Sequence, residues 1–131
     1  MVCDVYNTAS SRSAALFLEK VIQNMPFDIE SIQVDGGSEF MKDFELACKE
    51  LGIKLYVLPP RSPKYNGVVE RCNGITRDDF YSQYNDVFDV ATIKGHLSKF
   101  QNKYNSYRPH QALQNLTPME YLKLLDQSRA A

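Results

Sequence analysis

No tryptophan occurs in this sequence, and no apolar run approaches the roughly 20 residues needed to cross a bilayer. The opening MVCDVYNTASS carries an acid where a secretion signal would carry basic residues, so a cytoplasmic location without a membrane is expected. Cysteine is sparse: Cys3, Cys48 and Cys72 form no C-x-x-C pair, and His96 and His110 stand far from them in sequence. Zinc-ligand spacing is therefore absent, and reduced, packing thiols are expected. An excess of positive charge is missing too. With a formal net charge of −1, the chain is no candidate for wrapping nucleic acid over its whole surface, and any DNA contact has to be local.

What is present suits one hydrophobic core: 131 residues with 44% apolar content. VCDVY alternates apolar and polar positions and reads as a strand ended by the turn-forming NTASS. A helix capped by Ser10 or Ser11 should follow, with Ala14, Phe17, Leu18, Val21, Ile22 and Met25 on one stripe and Pro26 as its stop. IESIQV then reads as a strand running into Asp35, Gly36 and Gly37. The next helix should start at a Ser38 cap, carry Phe40, Phe44, Ala47, Cys48 and Leu51, and end at Gly52, ahead of a third strand, IKLYVL. Strands joined by helices favour parallel pairing and an α/β fold.

After the proline-rich loop PPRSPKYNG, helical segments are expected from Val68 to about Tyr81 and from Thr92 through Tyr104. A last helix should be capped by Thr117, with Pro118 at its first position and Glu120 three residues after the cap.

Two-metal phosphoryl transfer needs a few carboxylates converging on one point, so that two divalent ions about 4 Å apart clamp the attacking and leaving oxygens. Asp35, at the end of a strand, and Glu70, in the first turns of a helix, have the right chemistry and placement. By spacing alone the plainer reading stands ahead: a turn-capping aspartate and a solvated glutamate. The flanks carry more information. QVDGGSEF resembles the second-aspartate motif, and SPKYNGVVERCN the glutamate motif, of the integrase-type DDE transposases, which include retroviral integrases and many bacterial insertion-sequence enzymes. YNSYRPHQALQNLTPMEYL resembles the tail of the bacterial members.

The resemblance covers nearly the whole chain and implies an RNase H-like fold. It also implies metal-binding, catalytic roles for Asp35 and Glu70, Mg²⁺ or Mn²⁺ as cofactor, and polynucleotidyl transfer on DNA element ends and target. A homo-oligomer is expected as well. Arg61, Lys64, Tyr65, Asn66 and Arg71, with Arg77 nearby, are the candidate DNA contacts, because cations beside an aromatic ring suit backbone and stacking interactions.

The family's first aspartate should precede the second by some fifty residues, and only 34 precede Asp35. Asp4 is the tempting substitute, yet its surroundings resemble the family's third strand, so it reads as a strand-surface residue. The expectation is thus a partial integrase core over residues 1–131, lacking the first two strands, with a helical tail from about residue 91. Either VCDVY takes the vacant central place or an open sheet edge pairs with another copy. With two carboxylates instead of three, metal binding should be weak, and little strand transfer is expected from this chain alone. The competing reading is a non-catalytic DNA-binding or transposase-assembly module, and a third is an inactive gene remnant.

Overall fold

The computed structural model describes residues 1–59, 67–84 and 89–130. The chain falls into two compact units, one made of Val2 with residues 6–85, the other of Met1 and Cys3–Val5 with residues 86–131.

In the first unit, helix α1 spans Ser11–Asn24, and its cap is Ser10, whose side chain accepts a hydrogen bond from the Ser13 amide. That bond satisfies one of the amide donors the first turn leaves over. Strand β1 (Ser31–Val34) follows, then a 3₁₀ turn at Ser38–Phe40, helix α2 (Asp43–Glu50) and strand β2 (Lys54–Val57). The two strands pair in parallel, Ile32 beside Leu55 and Val34 beside Val57. The Lys54 N–H donates to the Glu30 carbonyl at 3.0 Å, and the Leu58 N–H to the Val34 carbonyl at 2.9 Å. The crossover through α2 supplies the length that a parallel pair requires.

The core of this unit is Leu18, Val34, Phe44, Cys48 and Ile53, with Ala14, Ile22, Ile32, Phe40 and Leu55 packed around it. Two turns of α1, one of α2 and one face of each strand meet there, as the apolar periodicities require. Gly52, after α2, has φ +68°, a conformation in which a side chain would be strained.

Two expectations are corrected. Val2–Tyr6 forms no strand, so the sheet has two strands among the described residues. An alternating pattern specifies a strand only where a neighbouring strand offers its edge, and none takes up this segment. Ser38 does not cap α2. It opens the 3₁₀ turn, while Lys42, at φ 48°, precedes α2, and its N–H donates to the Glu45 carboxylate at 3.2 Å.

Helix α3 (Gly67–Thr76) continues into a π turn at Arg77–Tyr81. Phe80 is buried at 1% exposure, edge-on to Tyr81 and tilted against Tyr84.

In the second unit, α4 (Val90–Ser106) begins two residues earlier than the apolar stripe suggests, because Asp89 caps it by accepting from the Thr92 N–H at 2.8 Å. Residues 1–5 run along α4: the Gln101 side chain accepts from the Cys3 N–H at 2.7 Å, and the Asn105 amide donates to the Met1 carbonyl at 2.7 Å. The Asp4 side chain, 10% exposed, pairs with Lys94 at 3.7 Å. Helix α5 (Pro118–Ala130) starts as read: the Thr117 hydroxyl accepts from the Glu120 N–H, while the Glu120 carboxylate accepts from the Thr117 N–H at 2.8 Å. His110 locks the turn between the helices. Its ring sits 4.6 Å from that of Tyr104, and its backbone bridges Leu116.

Three outcomes test this account. Leu18→Ala should cost about 2–5 kcal/mol in urea unfolding, because the surroundings refill the site only in part. Gly52→Ala should cost about 1–2 kcal/mol by the same measurement. The third concerns pH. Hydrogen bonds from the Thr117 amide and hydroxyl hold the Glu120 carboxyl below its usual range, so its contribution is present above the unfolded value and fades as the carboxyl protonates. The melting temperatures of the parent and Glu120→Gln should therefore differ at pH 7 and converge as pH falls below about 4.

Candidate functional site

Asp35 directly follows the last rung of β1, at the carboxyl end of a parallel strand, where α/β sheets place their ligands. Its Oδ1 accepts the Gly37 N–H at 3.2 Å, which fixes the orientation of the carboxyl group. Its other oxygen has no hydrogen bond among the described residues. Gly37 has an ordinary extended backbone, and a Cβ there would lie 2.6 Å from the Glu39 carboxylate, the far end of a flexible side chain. Glu39 folds back over the turn and is half-buried. Periodicity in the sequence holds no signal for this contact.

Glu70 lies in the first turn of α3 and is exposed, as is Arg71 beside it. A carboxylate there is favoured by the amide dipoles of the helix start. The two elements are brought to one place: Asp35 and Val69, the neighbour of Glu70, both line a cavity of about 320 Å³. Its other walls are Ala14, Phe17, Leu18 and Val21 of α1, Ile32 to Val34 of β1, and Phe40 and Phe44. Cys72 is half-buried, and its carbonyl accepts the Thr76 hydroxyl at 2.9 Å.

Asp4 belongs to the other unit and is paired with Lys94; with no strand at this segment and a side chain only 10% exposed, its reading as a strand-surface residue is corrected. Among the described residues, no three of His, Cys, Asp and Glu come together in a metal-holding cluster. The donor set at Asp35 and Glu70 is nonetheless of hard oxygen type, the type that magnesium and manganese take. Of the candidate DNA contacts, Arg71 is exposed on α3, whereas Arg61, Lys64, Tyr65 and Asn66 lie outside the described residues. Arg77 is exposed and bonds Asp78 at 3.1 Å.

This arrangement agrees with the RNase H-like fold that the sequence motifs imply. The sequence profile of the integrase core domain matches residues 51–118, just over half of the chain, and the chain belongs to that family. The crystal structure of the catalytic core domain of BIV integrase superposes with a TM-score of 0.72 at 25% identity, covering 96% of this chain and 80% of that one. A chain of the cryo-EM structure of the simian T-cell lymphotropic virus intasome in complex with a PP2A regulatory subunit gives a TM-score of 0.67 at 24% identity. That match covers 80% of this chain and 37% of the other. Among curated proteins nothing matches. The fold is thus RNase H-like, and the functional class is DNA integration or transposition. The profile match contains Glu70 but begins beyond Asp35.

No helix among the described residues is long and apolar enough to cross a membrane. Gly37→Ala should be tolerated, because the group it meets is the mobile end of Glu39: a stability loss within about 0.5 kcal/mol in urea unfolding is expected.

Proposed function

We propose that this chain carries part of a DNA strand-transfer centre in which Asp35 and Glu70 are the carboxylate ligands of a divalent ion, Mg²⁺ or Mn²⁺. One observation supports this above the others: the strand-end Asp35 and the first turn of the helix bearing Glu70 border the same cavity. When bound, the ion supplies Lewis-acid polarisation of a phosphodiester and makes water or a 3′-hydroxyl a better nucleophile. The chain's own part is orientation. The Gly37 amide holds one oxygen of Asp35 and leaves the other to face a ligand, while Glu70 projects from a helix turn whose dipole supports its charge.

DNA, as element ends and target, is the substrate class of this reading, and assembly into a homo-oligomer on those ends accompanies it. Arg71, one residue from Glu70, would meet a phosphate, a contact that positions DNA without reading its sequence.

Titration calorimetry with Mn²⁺ should show one weak, saturable site that Asp35→Asn and Glu70→Gln each abolish without altering the circular dichroism spectrum. No heat with the parent protein, or unchanged binding in both variants, would sink the reading. Arg71→Ala should weaken binding to duplex DNA of any sequence and reduce the slope of log affinity against log salt by about one.

A further inference from the structure

We infer that the cavity between α1, β1 and Val69 of α3 is a binding site for a small amphiphilic amine, with its apolar body inside the core and its ammonium group on Asp35. This rests on the cavity and not on the metal reading above, although both use Asp35. Leu18, Val34 and Phe44 are each buried to 8% exposure or less and nevertheless wall the cavity. It therefore opens into the core of the first unit and is more than a surface furrow.

Protein interiors are close-packed, with few voids larger than a water molecule, so about 320 Å³ of apolar space destabilises the fold as long as it stays empty. Water does not relieve this. A buried water makes about three hydrogen bonds, and the walls away from Gln33 and Asp35 are hydrocarbon. An apolar body does relieve it, by restoring the contacts the lining side chains lack. A dry cavity of roughly 150 Å³ holds one benzene ring, so this one takes a body of about two fused rings.

The walls also set the ligand's polar end. Among the described lining residues Asp35 alone is charged. One of its oxygens accepts the Gly37 N–H, and the other has no hydrogen bond among the described residues. Gln33, the second polar wall residue, already has a partner. A neutral ligand gains nothing from the open carboxylate oxygen, and an anion is repelled by it. An ammonium group makes a charge-assisted hydrogen bond there, at the exposed rim, where it keeps part of its hydration while the rings lie inside.

The probe is naphthylmethylamine, set against naphthoic acid, which has the same rings and the opposite charge, and methylamine, which has the charge without the rings. Titration calorimetry on the full chain should show the aryl amine binding one to one, at least tenfold tighter than either control, and it should raise the melting temperature. Asp35→Asn should weaken the amine at least tenfold and bring it level with the acid. Ala14→Phe, which fills the cavity from its α1 wall, should weaken binding at least tenfold. Val69→Trp should do the same from a position already 51% exposed, and it decides the matter if Ala14→Phe fails to fold. No binding by the parent, equal binding of amine and acid, or full affinity in Asp35→Asn or in the filled variant would each overturn the inference. Mn²⁺ titrated into the same samples separates the two readings: amine binding without Mn²⁺ heat leaves this one standing and sinks the metal site, and the reverse result does the opposite.

Discussion

The parallel register between β1 and β2 is the constraint on which the rest of the first unit depends. It sets Val34 opposite Val57, lets the Leu58 amide close the last rung, and so releases the chain at Asp35, one residue past the end of the ladder. A slip of one residue would turn Val34 out of the core and carry the carboxylate to the other face of the sheet. The register is fixed by the cluster in which Val34 packs with Leu18, Phe44, Cys48 and Ile53, so the position of the aspartate is a product of core packing. The same packing turns Phe40 onto Phe44, with ring centroids 5.3 Å apart, and thereby folds the segment after the glycines back over the sheet end.

Much of this is legible from sequence because it rests on local rules. The strand-end position of Asp35 follows from a short β-branched run meeting two glycines. Glu70 near the start of a helix follows from the proline-rich stretch of sequence before it, a composition that disfavours helix. The Thr117, Pro118 and Glu120 cap holds because each of its hydrogen bonds lies within four residues. The segment VCDVY shows where such rules stop. Its pattern reads as a strand, yet strand formation needs a partner edge, which is a property of the whole chain. In its place, Asp4, Cys3 and Met1 are held by Lys94, Gln101 and Asn105, ninety or more positions away, pairings no local pattern announces.

The helix starts divide along the same line. Ser10 and Thr117 are found because serine and threonine stand immediately before apolar periodicity. Asp89 is missed because the stripe of α4 begins only at Ile93, although the carboxylate already organises the turn before it and is held below its ordinary range by the hydroxyl and amide of Thr92. The left-handed Lys42 escapes altogether, since lysine gives no hint of a conformation that glycine or asparagine would advertise.

Of the thiols, Cys48 is buried at 1% exposure in the core of the first unit, and desolvation raises its pKa, so it is withheld from the thiolate form in which cysteine reacts. Cys72, two residues from Glu70, is half-buried on α3 and lies outside that core. A cysteine-directed label would therefore report from the helix that carries the glutamate before it reaches the core of the first unit.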